Sequence, residues 1–286
     1  MNAEGIRILR KSGGTFPVLG KARFKLTGAD CRRYLNGQLS IDINRLQPGE
    51  ARRALLLTAK GKLCASVQVW NDGPDLIVET EQSLLEETAA RLERYIISDD
   101  VTISQLPSGS PVYHVFGTPP PDDALRINRI GVPGFDCSVP PDGIAVADEP
   151  DIELLRIENG VPQWETELTA DTLPQEARLD QSSVDFDKGC YVGQEVVSRL
   201  RSVGHVNRLL HRFSGRLPMP LDFPVSLLSK DDPGRPAGKL TSAACDFELA
   251  QTLALGYLNR EFLDCVHFLA ADSAGTVIGE LEKRPV

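Results

Sequence analysis

Short apolar runs broken by proline and glycine fill the chain after Gly204 and limit what this part can fold into. Runs of this length with turn residues between them are typical of β-strands. Regularly spaced short strands favour a small barrel or a sandwich, with a domain boundary near residues 203–205. The predicted strands cover residues 206–214, 223–229, 236–243, 252–258, 265–271 and 276–283.

The rest of the chain mixes strands and helices without a regular alternation. Residues 53–59 and 62–70 flank the turn at 60–61 and are expected to pair as a hairpin. Apolar residues recur at helical spacing over about 82–97. This mixture indicates an α+β fold with largely antiparallel sheets.

One cysteine lies between two glycines, just before a predicted helix. Cys190 follows Lys188 and Gly189, and residues 194–200 carry apolar side chains at helical spacing. A neighbouring ammonium and the free amides at a helix N-terminus both favour the thiolate. Cys190 is therefore a candidate reactive thiol that Lys188 assists by its charge. The alternative is a thiol buried under the following helix.

The motif around this cysteine, KGCYVGQE at residues 188–195, resembles the KGC(F/Y)xGQE motif of the YgfZ-type folate-binding proteins. These are relatives of the glycine-cleavage T-protein that support iron–sulfur enzyme maturation. Further segments similar to the family's follow in the same order along almost the whole chain, except about residues 106–150. They are LTGAD at 26–30, YLNGQLS at 34–40, LRIENGVP at 155–162, LPQEA at 173–177, GKLTS at 238–242 and ALGY at 254–257.

The resemblance implies a three-part T-protein-like ring with ferredoxin-like subdomains, a C-terminal β-barrel and a folate pocket toward the centre. A discontinuous folate-binding domain would then cover residues 1–50 plus 107–203. A ferredoxin-like domain would cover 51–106, and the barrel would cover 204–286.

The resemblance also implies residues that bind folate. Glu158 matches the glutamate that contacts the pterin ring in the T-protein family, and a carboxylate can accept two hydrogen bonds from a pterin edge. From composition alone, an exposed helix carboxylate is the alternative. Tyr191 and Trp164 can stack on a pterin or simply belong to the core. Gln194 and Glu195 either bind ligand or cap the helix.

The implied function is that of a tetrahydrofolate-binding accessory protein that supports iron–sulfur cluster assembly or repair in client enzymes, including tRNA-modifying ones. Its partners would be iron–sulfur clients or carriers, with a transient iron–sulfur species at Cys190. The alternative is a folate-dependent aminomethyltransferase or demethylase. The catalytic aspartate segment of the T-protein matches residues 61–67, where Ala65 and Ser66 replace the aspartates. Without a carboxylate there, acid–base or electrostatic assistance is lost.

Cysteine usage and hydropathy bear on metals and on location. The six cysteines are at least 20 residues apart and form no CxxC pair, so neither a structural zinc nor a cluster held by this chain alone is expected. Unpaired thiols fit a reducing compartment. No apolar run approaches the roughly 20 residues of a membrane span, and Met1–Lys11 lacks a signal-peptide core. A cytoplasmic monomer without membrane contact is expected.

The net charge of −9 disfavours generalised nucleic-acid binding. A local basic stripe nevertheless follows the thiol motif, and it can meet a folate glutamate tail, a phosphate or RNA. A solvated helix face is the alternative, and an RNA-associated factor is a third functional hypothesis. The stripe consists of Arg199, Arg201, His205, Arg208, His211 and Arg212, of which Arg199 is also a candidate folate contact.

Overall fold

The computed structural model describes residues 3–107 and 111–285. Its elements confirm the expected α+β class. The helices are α1 (Ala3–Ser12), α2 (Cys31–Gln38), α3 (Leu85–Glu93), α4 (Glu149–Glu158) and α5 (Gln194–Ser202). The strands are β1 (Gly14–Pro17), β2 (Lys21–Thr27), β3 (Arg52–Leu57), β4 (Leu63–Asp72), β5 (Asp75–Glu81), β6 (Thr102–Gln105), β7 (Tyr113–Phe116), β8 (Leu125–Asn128), β9 (Pro133–Cys137), β10 (Arg208–Arg216), β11 (Val225–Ser229), β12 (Pro236–Asp246), β13 (Gln251–Asn259), β14 (His267–Ala271) and β15 (Val277–Lys283).

One antiparallel sheet has the strand order β3-β4-β5-β2-β6. Strands β2, β4, β5 and β6, with α2 and α3, follow the βαββαβ order of a ferredoxin-like unit, and β3 adds an edge strand. The range 51–106 expected for this unit omits β2, which pairs with β5 and β6. Strand β2 buries Ala22, Phe24 and Leu26 on one face, and Phe24 and Leu26 share a core with Leu76 and Val78 of β5.

Helix α3 is shorter than the predicted range 82–97. Residues 82–84 form a 3₁₀ turn, and the α-helix ends at Glu93. Beyond this point the apolar side chains leave the core, since Ile97 is 91% exposed.

The second sheet, with the order β1-β7-β9-β8, joins distant parts of the chain. Strand β1 pairs with β7, so that Thr15 lies opposite Val115. Its core includes residues of α1, α4 and the barrel, among them Ile6, Leu154 and Tyr257. The shared core fixes the sheet and the two helices against the barrel.

The C-terminal strands close into a barrel in the order β10-β13-β12-β11-β14-β15. Each of the six predicted strands is present, with bounds that differ from the predicted ones by a few residues. Because the sheet closes on itself, this part of the chain is a barrel and not a sandwich. Phe213 and Phe268 meet edge to face in its core, with ring centroids 5.8 Å apart. Within the described ranges, no helix has the length and apolar character needed to cross a bilayer.

A largely irregular segment runs from the end of α4 to the start of α5 and covers the β3–β4 hairpin. Its apolar side chains, including Leu168, Leu179 and Tyr191, pack with Leu55 and Leu57 of β3. This segment carries the cysteine motif, so the β3–β4 hairpin supports the candidate site by packing against it.

Candidate functional site

The thiol of Cys190 is exposed, in the loop that leads into α5. The other five cysteines are buried or half-buried. Cys190 is therefore not covered by the helix that follows it.

Lys188 fastens this loop to the end of α2. Its Nζ donates hydrogen bonds of 2.6, 2.7 and 2.7 Å to the carbonyl oxygens of Asn36, Leu39 and Ile41. Burial lowers the pKa of the Lys188 ammonium to about 8, although the charges of Asp42 and Asp185 act in the opposite direction. From sequence, the charge of Lys188 was expected to assist the thiol of Cys190. The three N–H groups of the Lys188 ammonium instead bind backbone carbonyl oxygens, so Lys188 positions the loop.

Gly193 brings the start of α5 against the β3–β4 turn. Its φ is +88°, and a Cβ there would lie 2.6 Å from the carbonyl oxygen of Thr58. No such restriction applies to Gly189, where a Cβ would meet nothing within 4 Å. The loop therefore has fixed ends at Lys188 and Gly193 and an open position beside Cys190.

The other candidate residues of the motif face in different directions. Tyr191 is buried, and its hydroxyl has no hydrogen-bond partner among the described residues. Burial raises the pKa of the Tyr191 phenol to about 12. Gln194 and Glu195 form the first turn of α5, and Arg199 is exposed on the same helix. None of these four lines the cavities described below, so their ligand contacts stay predictions.

Glu158 lies away from the cysteine motif, at the end of α4. Its Oε2 accepts a hydrogen bond of 3.0 Å from Arg10 Nε, and Arg10 also pairs with Asp246 of the barrel. The carboxylate lines a cavity of about 430 Å³ against β10 and β12. Residues two positions apart on a helix point to different faces, so Arg156 lines a different cavity, which lies between the two sheets and α4. Glu158 thus forms an ion pair with Arg10, and its expected pterin contact stays a prediction.

A cavity of about 630 Å³, which we call the sheet cavity, lies between the two sheets and α4. Phe16, Gln68, Trp164 and Arg53 are among its lining residues. Ser66 lines it as well, at one of the positions matched to the T-protein aspartates, and Ala65 is buried. An indole beside amide and guanidinium groups suits a flat, polar heterocycle.

A third cavity of about 470 Å³, which we call the barrel cavity, lies between β10, the start of β3 and the segment after α4. Arg53, Gln68, Val161 and Pro162 line both this cavity and the sheet cavity. The sequence did not single out Arg53 or Arg178, because neither lies in a segment that matches a motif of the family.

The basic stripe predicted from sequence does not form one surface. Arg199, Arg201 and His205 are exposed on or just after α5. Arg208 pairs with Glu176 at 3.1 Å and lies over the ring of Tyr257. His211 and Arg212 turn into the barrel cavity.

Among residues 3–107 and 111–285, no group of three or more His, Cys, Asp and Glu side chains could hold a metal ion. Within this part of the chain, Cys190 is the exposed thiol and belongs to no such group.

Comparison with known proteins gives relatives along most of the chain, although no protein-family model matches it. The tRNA-modifying protein YgfZ of Yersinia enterocolitica is 25% identical, over 66% of this chain and 67% of that protein. YgfZ of Sodalis glossinidius is 26% identical, over 88% of this chain and 87% of that protein. The mitochondrial iron-sulfur cluster assembly factor IBA57 homolog of Phaeosphaeria nodorum is 27% identical, over 69% of this chain and 54% of that protein.

The fold has a solved counterpart. The glycine cleavage system aminomethyltransferase T from Bartonella henselae aligns with a TM-score of 0.76 at 15% identity, covering 99% of this chain and 88% of that one. The chain is thus similar in sequence to YgfZ proteins and to an IBA57 homolog over most of its length, and it has the fold of aminomethyltransferase T.

Proposed function

We propose that this chain is a folate-binding accessory protein that supports the assembly or repair of iron–sulfur clusters in client enzymes, including enzymes that modify tRNA. The observation that carries the proposal is the exposed thiol of Cys190 on a loop fastened at Lys188 and Gly193. The names of the relatives, a tRNA-modifying protein and an iron-sulfur cluster assembly factor, support the same role.

In this proposal, Cys190 acts by ligand exchange at iron. Its sulfur bonds to an iron atom of a cluster in transit and displaces a thiolate of the carrier protein. The proton of Cys190 passes to the departing sulfur, so no electron is gained or lost. In this proposal the cluster is cargo, and Cys190 supplies one accessible thiol to it.

The sheet cavity is the proposed place of the folate ring. Its volume of about 630 Å³ lies within the roughly 300–1,000 Å³ of typical ligand pockets. Trp164 offers a surface for stacking, and the amide of Gln68 offers both a donor and an acceptor. Bound tetrahydrofolate would supply a reduced pterin and a one-carbon acceptor. The chain's own residues bind and orient it there.

An aminomethyltransferase is less well supported by the same cavity. Ser66 stands in its wall, and Ala65 carries no acid or base. The nearby carboxylate of Glu79 is held by Arg129 and Arg23, so it is not free to accept a substrate proton. We therefore propose folate binding without turnover.

The test uses cells that lack this protein and depend on a [4Fe–4S] enzyme. Enzyme activity is measured after complementation with the wild-type chain, Cys190→Ser or Cys245→Ser at equal expression. Cys245 is a half-buried thiol on β12 and serves as the matched control. We expect wild type and Cys245→Ser to restore activity and Cys190→Ser to fail.

Equal rescue by all three chains would remove the thiol from the mechanism. The folate part is tested separately, by titrating the purified full chain with tetrahydrofolate in a calorimeter. Absence of binding would contradict the folate proposal without touching the thiol result.

A further inference from the structure

The barrel cavity has an unusual charge for a protein with a net charge of −9. Its wall includes Arg53, Arg178, Arg212 and His211, and none of its lining residues is Asp or Glu. These residues come from three separated parts of the chain, namely β3, the 177–182 segment and β10. The fold therefore concentrates positive charge in one cavity.

The three guanidinium groups are held by backbone rather than by carboxylates. Arg178 Nε donates to the carbonyl oxygen of Leu210 at 2.8 Å, and Arg212 Nη1 donates to that of Glu158 at 2.7 Å. Arg53 Nη2 donates to the carbonyl oxygen of Pro162 at 3.2 Å. None of the three has a carboxylate oxygen within 4.0 Å in the described part of the chain. The three arginines are half-buried. A partly desolvated charge without a counter-charge is costly, so an anion is the missing partner.

Backbone strain singles out one of these arginines. Arg178 has a φ of +58°, a left-handed conformation that a side chain other than glycine rarely adopts. Such strain persists where the surrounding structure over-determines it, and it clusters at ligand sites. Here it accompanies the placement of the guanidinium in the cavity wall.

His211 adds an unused donor. Arg178 Nη2 donates to its Nε2 at 3.1 Å, since a guanidinium cannot accept, and the ring proton is therefore on Nδ1. His211 is 7% exposed, and its Nδ1 has no hydrogen-bond partner within the described ranges. Burial, reinforced by Arg178, lowers the pKa of His211 to about 4, so the ring is a neutral donor at pH 7.

We propose that the barrel cavity binds the oxyanion groups, carboxylate or phosphate, of a small ligand through Arg53, Arg178, Arg212 and His211. One source is the oligo-γ-glutamate tail of a folate whose ring occupies the sheet cavity. Arg53 and Gln68 line both cavities, so one molecule can span them. This source rests on the proposed function, whereas a free phosphate compound does not.

The test measures binding by calorimetry at fixed, near-physiological ionic strength. The titrants are tetrahydrofolate with one glutamate, tetrahydrofolate with three glutamates, and inorganic pyrophosphate. The full chain is compared with Arg178→Gln, with Arg53→Gln as a second variant on another element, and with Arg201→Gln. Arg201 is exposed over Phe186 and lines none of the three cavities, so it controls for net charge.

We expect the triglutamate to bind about tenfold more tightly than the monoglutamate, as one or two charge-assisted hydrogen bonds would give. Arg178→Gln and Arg53→Gln should remove most of that difference, and Arg201→Gln should keep it. A different outcome is that the chain binds pyrophosphate, that either cavity variant abolishes this binding, and that reduced folate does not bind. This outcome would support the anion site and refute the folate part of the proposed function. Equal affinity for both folates, together with pyrophosphate binding that is absent or unchanged in both variants, would overturn the inference.

Discussion

Arg129 donates to both carboxylate oxygens of Glu79, at 2.7 and 3.2 Å, although Glu79 lies on β5 and Arg129 belongs to the other sheet's β8–β9 connection. The same guanidinium also pairs with Asp136 of β9. Burial alone would raise the pKa of Glu79, but Arg129 and Arg23 outweigh it, so the pKa is lowered. The two sheets are thus joined by a charged, buried tie in the wall of the sheet cavity.

Arg129→Met should destabilise the fold by about 3 kcal/mol, because two buried carboxylates lose their shared guanidinium and keep only Arg23 at Glu79 and His114 at Asp136. The free energy of unfolding from urea titration measures this effect. Lys230→Met removes one cation from an exposed pair with Glu280 and should change stability by less than about 1 kcal/mol. Similar losses in both variants would contradict the tie.

The two glycines beside Cys190 should respond differently to alanine. Gly193→Ala forces a Cβ to within 2.6 Å of the Thr58 carbonyl oxygen at a φ of +88°, so we expect a loss of about 2 kcal/mol or more. Gly189→Ala meets open space and should stay within about 0.5 kcal/mol of wild type. Thermal or urea unfolding distinguishes them, and an equal effect would show that the loop does not rest on the β3–β4 turn.

Cys190 should be the fastest thiol to react with a water-soluble disulfide reagent in the native protein, because it is the exposed one of the six. Burial raises the pKa of Cys31 and of Cys64, which slows those thiols further. Stopped-flow absorbance should show one fast phase that Cys190→Ser removes and Cys64→Ser retains. A fast phase that survives in Cys190→Ser would place the reactive thiol elsewhere.

His211 should make the unliganded protein less stable in mild acid. Burial and Arg178 hold its pKa at about 4 in the folded state, against 6.5 for a free side chain. As pH falls from 6.5 to 4, the unfolded chain binds a proton at His211 and the folded protein does not. Stability is therefore lost over this pH range. Relative to His211→Gln, the wild type should lose about 2 kcal/mol more. Parallel stability curves for the two proteins from pH 7 to pH 4 would contradict this account.

The barrel and the β3–β4 hairpin were predictable because their signals are local. Proline or glycine marks the β10–β11, β11–β12 and β14–β15 turns, and residues 60–61 mark the hairpin turn. The pairing of β2 was not, because a strand's alternation says which face is buried but does not name its neighbour. Its pairing with β5 and β6 accompanies a core that these strands share with α2 and α3, and residues 21–27 alone do not reveal that core.

The candidate site was predictable only in part. The position of Cys190 ahead of α5 followed from helical spacing and from the family motif. The partner of Glu158 did not, since Arg10 is 148 residues away and no periodicity links them. The role of Lys188 was not predictable either. Its neighbours in sequence suggested that it assists the thiol, whereas its partners in space are three carbonyl oxygens.

The pairing of β1 with β7 has a consequence for synthesis on the ribosome. Between Pro17 and Tyr113 the whole ferredoxin-like sheet emerges, so β1 must wait for it before finding its neighbour. At about 5–20 residues per second this delay lasts roughly 5–20 s. The strand carries Phe16, which is buried in the finished protein, and it is therefore a segment that a chaperone can hold during that interval.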